Sequence, residues 1–262
     1  MQKKLKTKLI KNKNFTWHVQ PNIATLKNRI TKLLGQFKGV NLSLNDPNYG
    51  YVFFGDFSST AVTRLSIGHP AGVFWIPQHA GIDAVGHELY NNYNADGKFI
   101  GTSTNFSDQD KVFIDPTPKF TWGITNRFSY LNFDLDFLLR GVQGQKIFAN
   151  TLMILESINY LPGKNVVKKA LTNGLVDVPQ ASSYWLRNAS YARLENISLG
   201  YTLKKMKGIS SLRFYLTATN VFVITKYEDV DPEIRTEGFE RYIDTWHYPK
   251  SRGFMAGVNM EF

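Results

Sequence analysis

Phe254-Met-Ala-Gly-Val-Asn-Met-Glu-Phe262 closes the chain, and every second position in it is apolar. Phe254, Ala256, Val258, Met260 and Phe262 share one face of an extended strand, while Gly257, Asn259 and Glu261 share the other. Successive side chains of a β-strand point to opposite sides of its sheet, so a period of two predicts one fatty and one polar face. A transmembrane β-barrel is made of such strands, because lipid-facing and lumen-facing positions alternate.

The pattern repeats upstream. In 211–223, Leu212, Phe214, Leu216, Ala218 and Phe222 alternate with Arg213, Tyr215, Thr217 and Thr219. Residues 191–203 set Ile197, Leu199, Tyr201 and Leu203 against Asn196, Ser198, Gly200 and Thr202. Residues 131–140 place Leu131, Phe133, Leu135, Phe137 and Leu139 opposite Asn132, Asp134, Asp136 and Arg140. Residues 119–130 do the same with Phe120, Trp122, Ile124, Phe128 and Tyr130. Strands of about 9–11 residues are long enough to cross a bilayer at a tilt. Further strands are expected at 15–25, 51–57 and 72–77, and short helices at 151–156 and 166–171.

The connections are lopsided. Residues 119–130 and 131–140 meet almost directly, and Lys204 to Ser210 reads as a short turn, whereas 141–190 and 224–250 are long excursions. Short turns at one end and long loops at the other are the plan of an outer-membrane barrel. A soluble carbohydrate-binding β-sandwich is the competing architecture, but sandwich strands are typically about 5–6 residues. The expected class is therefore all-β, an antiparallel transmembrane barrel.

Charge adds a second constraint. The formal net charge of +10, with six lysines among the first thirteen residues, favours acidic partners such as anionic lipid head groups. It also raises the alternative of a basic nucleic-acid-binding protein, although a solvated basic tail accounts for the lysines and no nucleic acid is expected. The stretch 14–20 brings Asn, Thr and His where a signal peptide requires an apolar run, so no export signal is read there.

Several of these segments are similar to one family. Asn188-Ala-Ser-Tyr-Ala-Arg-Leu-Glu-Asn-Ile-Ser-Leu-Gly-Tyr-Thr-Leu203 and Ser211-Leu-Arg-Phe-Tyr-Leu-Thr-Ala-Thr-Asn-Val-Phe222 resemble the closing strands of SusC/RagA-type TonB-dependent transporters. Pro116 to Tyr130, Asn132-Phe-Asp-Leu135, Asp231-Pro-Glu233 and Tyr248-Pro-Lys-Ser-Arg252 resemble other parts of the same barrels. The resemblance implies import of oligosaccharides or peptides across the outer membrane, with TonB and a SusD-type lipoprotein lid as partners. No enzyme activity and no cofactor are expected. No segment matches the family's plug domain or TonB box, so residues 1–262 read as the C-terminal part of a barrel, about 8–10 strands of it at this spacing, inactive alone. Within that resemblance Phe254, Val258, Met260 and Phe262 are the expected membrane-insertion signal.

Motifs for chemistry are sparse. His87-Glu88 lacks the second His that a zinc-protease motif requires, and no nucleophile elbow or phosphate loop occurs. Asn92, Asn94 and Asp96 precede Gly97 as in the first half of a calcium loop, but position twelve would be Ser103, so a metal-free turn is the expectation. Asp134 and Asp136 share a face and are expected to pair with Arg127 and Arg140 inside the barrel. Trp185, Trp246 and Tyr248 lie in or beside the long loops, where flat rings can stack on sugars, and are the candidate substrate contacts.

Overall fold

Six long strands pair antiparallel in chain order: β1 (Phe15–Ala24), β2 (Phe120–Tyr130), β3 (Phe133–Gln143), β4 (Tyr191–Met206), β5 (Ile209–Thr225) and β6 (Gly253–Glu261). Two short strands, Gln2–Lys4 and Thr7–Lys11, both pair with β1 and complete an eight-stranded sheet. The computed structural model describes residues 2–4, 7–42, 47–54, 58–206, 208–234, 238 and 241–262. Among these residues the sheet is open, with β6 paired to β5 on one edge and to no strand on the other.

Register converts the alternation into rows that run across the sheet. Phe15, Tyr130, Phe133, Tyr201, Phe214 and Val258 stand side by side on six successive strands. The next row holds Trp17, Phe128, Leu135, Leu199, Leu216 and Ala256. Along β1 the apolar face continues through Val19 and Pro21 to Ile23, about 27 Å at a rise of roughly 3.4 Å per residue. That span suits the apolar band of a membrane barrel. The face has no cover among the described residues, since Leu216 is 61% exposed, Phe254 83% and Phe262 86%. A sandwich would bury it under a second sheet.

One polar side chain interrupts this face. Asn126 sits between Val19 and Phe137 in the cross-strand register, and its carbonyl accepts a hydrogen bond from Trp17 Nε1 at 3.1 Å. Trp17 stacks on Phe128 at 5.3 Å, so the amide is covered as well as paired.

Glycines on strand interiors make room for rings. Tyr215 has Gly200 on one neighbouring strand and Gly257 on the other, and a Cβ at Gly257 would collide with its ring. Trp122 lies opposite Gly141 in the same manner, with its ring 2.6 Å from where a Cβ would stand.

The turns are tighter than the sequence suggests. β4 and β5 zip as far as the pair Met206 and Ile209, so the expected turn from Lys204 to Ser210 is mostly strand. Tyr130 pairs with Phe133, which leaves Leu131 and Asn132 as a two-residue hairpin. Leu131 carries φ +53° there and is not on the strand's apolar face as expected. The strand expected at 51–57 begins earlier, at Asn48, and is described to Phe54; residues 55–57 lie outside the described residues.

Neither the connection 25–119 between β1 and β2 nor the two long excursions are open loops. Residues 48–54, 58–64, 73–77 and 111–114 form a four-stranded sheet, and 79–82, 88–93 and 99–103 form a three-stranded one. Leu186–Asn188, Lys146–Ala149 and Ile243–Asp244 form a third, tying the two excursions to each other. A helix at Asn150–Leu155 and a 3-10 turn at Lys168–Leu171 stand where short helices were expected. Val52, Val62, Phe74, Ile76, Phe148, Met153, Trp185 and Ile243 bury one another in a shared core. The result is a water-facing cap at the long-loop end of the membrane sheet.

A Cβ at Gly141 would lie 2.5 Å from the Tyr191 carbonyl oxygen as well as against Trp122. Gly141→Ala should therefore cost about 1–3 kcal/mol through overpacking. Urea unfolding in detergent micelles measures it, and an unchanged midpoint would show that Trp122 is not seated over this glycine.

Candidate functional site

Two guanidiniums face each other where the membrane sheet gives way to the cap. Arg140 on β3 and Arg193 on β4 are directly opposed in register. Like charges in that position repel, so the pair requires anions. Glu195 supplies one, accepting from Arg140 Nε at 2.6 Å. The long loop after β5 supplies the others. Glu233 accepts from the Arg140 guanidinium with both oxygens, at 2.9 and 2.7 Å, and Asp231 accepts from Arg193 at 2.6 Å. Lys250 Nζ reaches Glu233 at 2.9 Å from the segment leading into β6. Arg193 is 1% exposed and Asp231 5%, so this pair is the buried centre of the knot, while Arg140 and Glu233 stay about a quarter exposed.

A bulge makes the geometry possible. Simple alternation from Leu203, Tyr201 and Leu199 would put both Glu195 and Arg193 on the lipid side. The ladder shifts there instead: Leu138 and Leu139 of β3 face Asn196 and Leu194, leaving Glu195 unpaired and Arg193 on the polar face. On β5 the same break leaves Asn220 at φ +49°, a conformation that Asn tolerates better than most residues. Its amide then donates to the carbonyls of Lys250 and Ser251 at 2.6 and 3.2 Å, and its carbonyl accepts from Arg193. The motifs 188–203, 211–222, 231–233 and 248–252 thus converge on one assembly.

The carboxylates farther down the polar face are paired too. Asp136 binds Arg127 at 2.8 Å, as expected. Asp134 binds Arg213 of β5 at 2.6 Å and neither Arg127 nor Arg140, because Arg213 reaches over Gly200 where no side chain stands in the way. Both acids serve charge pairing.

The candidate aromatic contacts separate. Trp185 is 0% exposed, packed in the cap core with its ring edge-on to Tyr184 at 4.7 Å, so it offers no face to a substrate. Its expected role is corrected to packing. Trp246 is 56% exposed and Tyr248 94%. Trp246 is held at φ +55°, with its backbone N–H donating to Thr151 Oγ1 at 2.8 Å. Beneath it Asp244, 1% exposed, accepts from the Tyr227 hydroxyl and faces His247 Nδ1 at 3.1 Å.

The calcium-like stretch forms a hairpin turn. Asn94 Oδ1 accepts from the backbone of Asp96 and Lys98 at 3.1 and 2.9 Å, and the Asn92 amide donates to the Asn105 carbonyl at 3.0 Å. Among the described residues no cluster of three or more His, Asp or Glu side chains is placed to hold a metal ion. Two of the scattered histidines in this region pair with acids instead: His79 Nδ1 lies 3.0 Å from Glu88 and His87 Nδ1 lies 2.7 Å from Asp177. Asp177's hydrogen bond and charge raise the His87 pKa above its ordinary value.

Arg193→Met removes the cation that Asp231 faces inside the knot. Breaking a buried pair from one side costs about 3–5 kcal/mol, and limited proteolysis should find cleavage in 226–250 that the native chain resists. Burial alone would push the Glu233 carboxyl up, but hydrogen bonds from Arg140 and Lys250 outweigh it and hold the pKa below its ordinary 4.5. The loop's attachment through Glu233 is therefore at full strength above pH 4.5 and is lost as pH falls through the lower folded-state value. The same proteolysis run as a pH series should show acid-induced cleavage, and Glu233→Gln should abolish that part of the pH dependence.

Comparisons with known proteins agree with this architecture. No family model matches the sequence. The chain is 29% identical over 279 residues to TonB-dependent receptor SusC of Bacteroides thetaiotaomicron, covering 100% of the chain and 26% of that protein. It is 28% identical over 282 residues to TonB-dependent receptor P3 of Formosa agariphila, covering 97% of the chain and 27% of the relative. The chain thus spans about a quarter of the length of these curated relatives. A solved structure of the RagAB peptide importer in its closed-closed state superposes with a TM-score of 0.73 at 25% identity, over 99% of this chain and 29% of that one. These relatives are named receptors and importers. With its uncovered apolar face and its knotted cap, the chain has the fold of part of an antiparallel outer-membrane β-barrel and is similar to the SusC/RagA-type TonB-dependent transporters.

Proposed function

We propose that the chain forms the C-terminal part of the barrel of an outer-membrane transporter that imports oligosaccharides or peptides. A SusD-type lipoprotein closes the outer mouth, and TonB acts through a plug and TonB box that these 262 residues do not supply. The observation that carries this reading is the cap: loops that would be free in a simple pore are packed into a core and bound by Arg140 and Arg193 to the polar side of the sheet. Peptide import is the activity named for the RagAB structures. An oligosaccharide is favoured here by Trp246 and Tyr248, whose rings stand exposed at the end of the second excursion. Exposed rings give sugars a stacking surface with little entropy to lose.

In this reading Arg127, Asp134, Asp136 and Arg213 belong to the polar wall past which substrate moves, already neutralised in pairs. Neutralised walls do not trap an uncharged solute. The 262-residue chain alone, purified into liposomes, should show no substrate-selective conductance; a stable selective conductance would overturn the assignment to part of a barrel.

Uptake decides between the substrate classes. In cells carrying the assembled transporter, a fluorescent hexasaccharide should enter in a manner that collapses with the proton-motive force, and a labelled pentapeptide should not. Trp246→Ala should weaken oligosaccharide binding by about tenfold, the effect of losing one stacking contact. Uptake of the peptide alone would replace the oligosaccharide reading with the peptide one.

A further inference from the structure

Between the hairpin 88–103 and the segment 175–180 the cap holds an open cleft of about 550 Å³. Its back wall is rigid. Glu88, 3% exposed, accepts from Ser182 Oγ at 2.5 Å and from the Tyr90 hydroxyl at 3.2 Å, with His79 Nδ1 at 3.0 Å. Three groups of the protein already engage its carboxylate. Tyr90 in turn meets Phe106 edge-on at 4.8 Å, which fixes the second ring at the cleft wall. One side is closed by the His87–Asp177 pair, whose Nε2 and second carboxylate oxygen have no hydrogen-bond partner among the described residues.

The remaining polar lining is neutral and unengaged. Thr104, Asn105 and Gln180 line the cleft, and their side chains make no hydrogen bond among the described residues, although the backbone of Asn105 and Gln180 does. Hydroxyl and carboxamide groups each donate and accept, which is also the chemistry of a sugar hydroxyl. A carboxylate oxygen beside them can accept from vicinal hydroxyls, and Phe106 adds an apolar ring for the C–H face of a pyranose. No Lys or Arg lines the cleft, so nothing there selects an acidic sugar. Its volume falls within the usual range of roughly 300–1,000 Å³ for small-molecule sites.

We propose that this cleft is a glycan-binding subsite of the cap, holding a short stretch of a neutral oligosaccharide through Thr104, Asn105, Gln180 and Asp177 with Phe106 as the apolar wall. It is separate in sequence from Trp246 and Tyr248, and it rests on the oligosaccharide reading above.

The test uses the full chain in detergent micelles, titrated by calorimetry with neutral hexasaccharides of α-1,4-glucan, β-1,3-glucan, β-1,4-xylan and β-1,4-mannan. Heat-dependent mobility on gels verifies that each variant is folded. At least one hexasaccharide should bind, and Thr104→Val and Gln180→Ala should each weaken it by about tenfold, the effect of one hydrogen bond. Both variants are surface changes that leave the Glu88 wall intact. Binding that is unchanged in both variants but falls in Trp246→Ala overturns the cleft and keeps the oligosaccharide reading. Failure of all four hexasaccharides to bind overturns the cleft and that reading together. A pentapeptide library that binds and is lost in Gln180→Ala overturns the assignment to sugar.

Discussion

In hydrocarbon a peptide group has no partner except another peptide group, and the ladders between β1 and β6 are regular in the rows nearest the short turns. From the row at Phe15 to the row at Val19, all six strands pair without a shift in register between β1 and β6. The breaks among the long strands come later, at Leu138 against Asn196 and at Asn196 against Thr219, near the end where the loops leave. An unpaired carbonyl there has ion-paired side chains and water within reach. Irregular backbone is confined to the place where it is tolerable.

That irregularity carries the connection between the membrane part and the water-facing part. Without the bulge Arg193 would point at lipid; with it, Arg193 faces Arg140 and the two demand acids that the strands alone do not provide. Asp231 and Glu233 answer from the loop, and Lys250 and Asn220 fasten the returning chain before it enters β6. The cap's core then has a fixed base, and Ile147, Ala149, Leu152, Tyr227 and Ile234 bury a second apolar cluster made from both excursions. Charge pairing at the rim and apolar burial above it hold the same two segments.

The membrane sheet was readable in the sequence because its code is local: a period of two tells which face each residue takes, and Phe254 to Phe262 needs no knowledge of its neighbours. Four of the segments that carry the family resemblance, 188–203, 211–222, 231–233 and 248–252, supply residues of the knot. The cap was not readable. Its core joins Val52, Phe74, Phe148, Trp185 and Ile243, residues far apart in sequence and set in short elements without sustained periodicity. Trp185 illustrates the cost, since an aromatic in a long loop looks like a ligand contact until a core is found beneath it. One signal was available: Arg193 and Glu195 break the apolar parity of β4, and two charges on a lipid face announce a register change. Nothing in the sequence joined Thr104 to Gln180, since only the fold of the cap brings them to one cleft.

The row of Phe15, Tyr130, Phe133, Tyr201 and Phe214 has a consequence for how the molecule sits. Five ring-bearing residues at one level hold that level at the boundary between acyl chains and head groups, where amphipathic rings prefer to be. β4 and β5 run on for five further residues past this level. The sheet therefore carries its own depth gauge, and in a bilayer thicker or thinner than its apolar band it must tilt or deform the lipid instead of sliding. The height at which the cap stands above the membrane is set at the opposite end of the barrel wall.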